Sequence, residues 1–209
     1  MFWGPKGKTM NVEASALVAA LGTLAFIVGI RLIYQQVCGF SSRAPNDVFP
    51  FLFKIDMEAL NGTFHPEVED NFRHSLPWPE FKRVQWKRTH LAIHYCNQIS
   101  NNAGIFLGWM RHEREQGVEW MNSGTRKSIE ELQMACTQSL LAAFFVRTRL
   151  RLWLIRMVLL PFAPPPSFAT LVQKGSADMI AFYENMQTMA EIFSLAYGDD
   201  YRQKLMQAL

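Results

Sequence analysis

Residues 14–30, reading ASALVAALGTLAFIVGI, form the stretch that most limits what this chain can become. They run for seventeen positions without a charge, bounded by Glu13 and Arg31, and Leu32, Ile33 and Tyr34 continue the apolar character. A helix rising ~1.5 Å per residue needs about 20 residues to cross a bilayer core, with roughly 17 as the lower limit. The segment reaches that length if Arg31 snorkels to the interface. A cleaved signal peptide is the main rival, but the run is long for an h-region. The sequence after it, Arg31-Leu32-Ile33-Tyr34, offers no A-x-A-like cleavage site. The expectation is a retained single-pass anchor.

Lys6 and Lys8 flank one side of that anchor, and Arg31, Arg43 and Lys54 flank the other. Arg31 lies closest, which favours a cytoplasmic C-terminal domain. Unpaired thiols point the same way. Cys38, Cys96 and Cys136 are odd in number and lack CxxC spacing, so they are not a disulfide framework. Asn61-Gly62-Thr63 matches a glycosylation sequon, which would matter only on a luminal face. The formal net charge of +3 is too small to argue for nucleic acid. Hydrophobic residues make up 49% and charged residues 19%, so the remainder is a folding domain, not a polar tail.

Beyond the anchor the patterns are helical. Residues 38–78 read as an irregular connector with short helices, interrupted by Gly39, Pro45, Pro50, Pro66 and Pro77, with Asn61-Gly62 as a turn signal. Pro79 opens a long helix. Its apolar face is Ala92, Cys96, Ile99, Ala103, Phe106 and Met110, spaced 4-3-4-3-4. Asn101, Asn102 and Gly104 predict a weak middle, open to a kink. Ser128-Ile129-Glu130-Glu131 is a capping box for a second helix reaching Leu160, where Pro161 and Pro164–Pro166 stop it. Ser176 is the expected N-cap of a third, carrying Met179, Phe182, Met186, Met189, Phe193 and Ala196. Gly198 ends it, and Asp199 caps a short last helix. Phe182, Met186 and Phe193 are expected to pack against Leu140 and Phe144.

Two clusters carry candidate chemistry. His90 and His94, spaced i, i+4, direct both imidazoles to one spot, as a zinc or other transition-metal pair requires. His112 is eighteen residues further on, about 27 Å along the axis, so a third ligand must come from another helix, such as Glu184 or Glu191. The same stripe holds Arg83, Lys87, Asn97 and Asn101, as a solvated face would. Arg147, Arg149, Arg151 and Arg156 interrupt a helix otherwise apolar nearly all round. At about 2.5–3.5 kcal/mol each, they argue against this helix crossing a bilayer. They suit either anionic headgroups at an interface or ion pairs inside a bundle. The run Pro161-Phe162-Ala163-Pro164-Pro165-Pro166 reads as a stiff spacer or a polyproline ligand. No P-loop, GxGxxG turn, GxSxG elbow or HExxH helix occurs.

The expected fold is therefore all-α, in three parts: head and anchor over 1–37, connector over 38–78, helical bundle over 79–209. The expected function is a membrane-anchored interaction or scaffold module with a protein partner, without cofactor and without a catalytic constellation. The competing readings are a metal protein or enzyme built on His90 and His94, and a peripheral domain that binds anionic lipid through Arg147–Arg156.

Overall fold

A computed structural model of the chain describes residues 42–116, 123–159 and 167–209. Among these residues no strand occurs, so the domain is an all-α bundle. The anchor expected over 14–30 and the proline run at 161–166 lie outside the described residues. Among the described residues no helix is long and apolar enough to cross a membrane.

Two 3-10 turns, Pro45–Asp47 and Phe49–Phe51, lead into α1 (Met57–Phe64) and α2 (Pro66–Ser75). Three long helices follow: α3 (Trp78–Glu115), α4 (Ser123–Leu159) and α5 (Phe168–Ser194). A 3-10 turn at Leu195–Tyr197 then precedes α6 (Asp199–Ala208). α4 runs antiparallel to both long neighbours. Arg114 meets Gln133 at 2.6 Å and Arg147 meets Asn97 at 3.0 Å, while Trp153 faces Phe168 at α5's start. α3 and α5 run parallel, joined at Cys96–Met179 (3.7 Å), Asn102–Tyr183 (3.0 Å) and the Trp109–Phe193 rings (4.7 Å).

The stripe from Ala92 to Met110 is buried throughout, as its spacing requires. Several local signals were overruled. The Asn61-Gly62 pair sits inside α1, not in a turn. The Asp56 carboxylate accepts from the Ala59 amide to cap that helix, and Leu60 and Phe64 bury its inner face. α3 passes unbroken through Asn101, Asn102 and Gly104. α4 begins at Ser123, five residues before its capping box. Once nucleated, a helix gains a backbone bond for each residue it extends. α5 begins at Phe168, eight residues before Ser176, because Phe168 and Val172 are buried. Burying each such side chain stabilises by about 1.5–3 kcal/mol, more than the roughly 1 kcal/mol of a cap.

At the far end Gly198 takes φ +97°, a left-handed conformation that side chains resist. Gly198, not Asp199, is the N-cap of α6, while Asp199 and Asp200 occupy its first turn, where the helix dipole favours them. α6 folds back so that Tyr201 donates to the Pro45 carbonyl at 2.9 Å. The Ile55 amide donates to the carbonyl of Leu209, and the Arg43 amide to that of Gly108. The stretch from Arg43 to Phe64 thus contributes buried residues (Val48, Ile55, Leu60, Phe64) to the same core as the long helices.

Phe193 is buried as expected and packs its ring on Trp109 of α3, while α5 lies along α4 as expected, with Phe182 and Leu141 lining the seam between them. Trp109 also contacts Tyr197 and Tyr201, with centroids 5.5 and 5.6 Å away. This aromatic cluster closes the end of the bundle where α3, α5 and α6 meet.

Candidate functional site

His90 and His94 lie exposed on α3. The His90 ring is turned back on its own helix, with Nδ1 2.9 Å from the Trp86 carbonyl, and His94 packs its edge near Tyr95. Glu191, one possible third ligand, is paired with Arg202, whose Nε donates to it at 2.9 Å. Among the described residues no group of three His, Cys, Asp or Glu side chains gathers as a metal site would need. Cys96 and Cys136 are free and buried; burial pushes the Cys96 thiol up to about 12, so it stays protonated and unreactive.

The four arginines divide. Arg147 is half-buried in the α3–α4 seam: it donates to Asn97 Oδ1 at 3.0 Å, and burial together with the nearby Arg151 lowers its pKa. Arg149, Arg151 and Arg156 are exposed. Among the described residues none of these three has an ion-pair partner. Between them runs an apolar ridge on the side of α4 that faces away from α3 and α5. Phe145, Leu152 and Leu159, spaced seven residues apart, are 58%, 60% and 71% exposed, and Met134, Ile155 and Val158 are exposed too. Arg149 and Arg156 follow Phe145 and Leu152 by four residues each, so a guanidinium stands beside each apolar side chain on the helix surface.

A groove of about 540 Å³ opens along the seam between α4 and α5 and shares Phe145 with that ridge. Its walls include Leu141, Ala142, Val146 and Phe182, and Arg149 and Asp178 also line it. Gly175 lines the groove without a side chain; a Cβ there would sit in ordinary contact, 3.4 Å from Val146 Cγ2 and 3.6 Å from Arg149 Nη1.

Two buried polar constellations were not anticipated. Arg88 donates through Nε to the Thr63 carbonyl (2.7 Å) and through Nη2 to that of His65 (2.6 Å), with its guanidinium 4.5 Å from the Phe168 ring centroid. Burial lowers its pKa, and the buried Glu69 carboxylate opposes that shift. Glu69 in turn accepts from Arg73 at 3.1 Å and from Ser167 at 3.0 Å. These groups fasten α1, α2 and α5 to α3. A signal existed: carrying the 4-3 alternation back from Ala92 lands on Thr89 and Gln85, both buried, and Arg88 stands beside Thr89 one turn before Ala92. The second constellation is Asn102, fully buried, whose side-chain oxygen accepts from the Phe53 amide at 2.8 Å. Its Nδ2 donates to the Phe53 carbonyl at 2.8 Å and to the Tyr183 hydroxyl at 3.0 Å.

Burial also pushes the Tyr183 phenol up to about 12, with the Asn102 bond acting in the opposite sense. Tyr197 and Tyr201 are raised too, first by burial and then by the Glu113 carboxylate beside them. The native state therefore holds phenol protons that the unfolded chain releases above about 10. Stability should be unaffected by these groups below that pH and should fall as pH rises from about 10 towards about 12. Each phenol contributes at most about 1.4 kcal/mol per pH unit. Urea denaturation midpoints measured across this range should show the decline, and Tyr183→Phe should make it shallower. An unchanged slope in that variant would mean Tyr183 is not protected.

No protein-family model, curated protein or solved structure matches this chain. Its fold and surface define the class: an all-α bundle with an exposed apolar ridge on α4, bordered by arginines that have no ion-pair partner among the described residues.

Proposed function

We propose that this protein is a membrane-associated helical module that lays the outer face of α4 on an anionic lipid surface. The observation that carries the reading is the pairing of exposed Phe145, Leu152, Ile155 and Leu159 with Arg149, Arg151 and Arg156, which have no ion-pair partner among the described residues. Apolar side chains entering the headgroup boundary gain up to about 1.5–3 kcal/mol each if fully buried, and each arginine near an anionic surface adds about 1 kcal/mol. The same arginines keep α4 from crossing the bilayer. A second copy of the chain fits this face less well, because it would oppose arginine to arginine with no acid on the ridge to separate them. An anchor over residues 14–30, with the bundle on the cytoplasmic side where anionic lipids concentrate, would hold the face near its surface.

An environment-sensitive fluorophore on Leu152→Cys, in a Cys38→Ser background, would report the contact. In full-length protein reconstituted into vesicles containing phosphatidylserine, its emission should shift to the blue and be quenched by brominated lipid. High salt should weaken the effect, because headgroup attraction is screened. Replacing Arg149, Arg151 and Arg156 together by Gln should remove the dependence on phosphatidylserine. A probe that remains in water on anionic vesicles would exclude the proposal.

A further inference from the structure

The groove between α4 and α5 has a lining that the lipid-surface reading uses only at Phe145 and Arg149. Arg149 and Asp178 both line it, yet they are not paired with each other, and neither has another ion-pair partner among the described residues. An opposite pair that leaves both charges unneutralised suits a ligand that brings one charge of each sign. The walls are apolar, and the volume of about 540 Å³ falls within the range of roughly 300–1,000 Å³ of small-molecule pockets. Phe145 belongs both to the groove and to the exposed ridge, so the groove opens where lipid would lie.

We infer that this groove receives an acyl chain of a zwitterionic phospholipid, its phosphate held by Arg149 and its ammonium group by Asp178. A purely anionic headgroup would meet Arg149 but be repelled by Asp178, and an uncharged one would leave both charges without a partner. Gly175 widens the chain's path by the space of one methyl group. The inference rests on α4 facing lipid, and it adds a specific site to that surface.

The test uses full-length protein in vesicles doped with a lipid that carries a photoreactive acyl chain. The headgroup is phosphocholine, phosphoglycerol or, in diacylglycerol, absent. Phosphatidylcholine should crosslink to residues 138–149 and 175–182 about tenfold more than the other two, the ratio expected for one charge-assisted contact. Asp178→Asn should raise the phosphatidylglycerol yield to that of phosphatidylcholine, and Arg149→Gln should lower both. Both side chains are exposed, so neither change threatens the fold. Ala142→Phe should empty the groove of crosslinks while leaving those at residues 152–159. Gly175→Ala, which a helix tolerates, should reduce them partially if Ala142→Phe does not fold. Equal yields from the three headgroups, or groove crosslinks untouched by both filling variants, would overturn the inference. Strong crosslinks at 152–159 with none in the groove would remove this site and leave the surface reading standing. An absence at 152–159 from every lipid would remove the surface reading itself, and this inference with it.

Discussion

Trp109→Ala should cost the bundle about 3–5 kcal/mol, the usual range for emptying a buried aromatic site. Trp109 is fully buried, and its ring meets Phe193, Tyr197 and Tyr201 at centroid distances of 4.7, 5.5 and 5.6 Å. One side chain therefore joins α3 to α5, to the turn at Leu195–Tyr197 and to α6. The cavity would open at the meeting point of all four, where no single helix can move to fill it without losing its other contacts. For a domain of this size each kcal/mol moves the melting temperature by about 2–4 °C, so the loss should be roughly 6–20 °C. Trp109→Phe keeps most of the stacking and should cost less. Melting curves of both variants beside Met134→Ala, an exposed site on α4, provide the comparison. A Trp109→Ala shift no larger than that of Met134→Ala would mean the aromatic cluster is not part of the core.

Asn102→Leu is the second large effect, expected to cost about 2–4 kcal/mol even though leucine branches at the same carbon and has as many side-chain heavy atoms. Leucine would remove partners from the Phe53 amide, the Phe53 carbonyl and the Tyr183 hydroxyl at once. A buried group left unpaired costs about 1–3 kcal/mol; the Phe53 groups lie partly open and recover some of this from water. The hydroxyl cannot turn to water, because Tyr183 is fully buried, and it keeps only its bond with Gln187. Tyr183→Phe should therefore be less costly in the Asn102→Leu background than alone, since the bond between the two side chains is already gone there. Denaturant titrations of the four species give the coupling directly. Additive effects would show that no bond joins Asn102 to Tyr183. Asn101→Ala, one position earlier, should change stability by less than about 1 kcal/mol. Its side chain is exposed and makes only a 3.2 Å bond to the Phe51 carbonyl.

The difference between Asn101 and Asn102 illustrates where sequence reasoning ran out. Both look like helix-weakening residues, and both predict a soft middle for α3. Only the path of residues 51–56 across that helix turns one of them into a clamp. The same holds for Ser128 and Ser176. Each is a sound cap by its neighbours, and each lies inside a longer helix, because a cap is a local preference and burial of Phe168 or Val172 is not. For the candidate sites, the His90–His94 spacing was legible but found no further ligand among the described residues. The arginine run was legible as an oddity. Its division into one seam residue, Arg147, and three exposed ones was not.

By itself the sequence determined what depends on periodicity. The 4-3 spacing from Ala92 to Met110 placed α3 and chose its inner face. A helix repeats every 3.6 residues whatever surrounds it, so its apolar stripe can be read without knowing what covers it. Tertiary structure alone decided what covers it. Phe193 met the Trp109 ring, Arg88 and Glu69 were buried together, and Asn102 took hold of Phe53. The outer face of α4 was left bare beside a groove that Gly175 and Phe182 line. These outcomes depend on pairs far apart in the chain, such as Asn102 with Tyr183 and Arg88 with Phe168. Which distant residues meet is set by how three long helices pack and which flanking segments cross them, information that no single helical period contains.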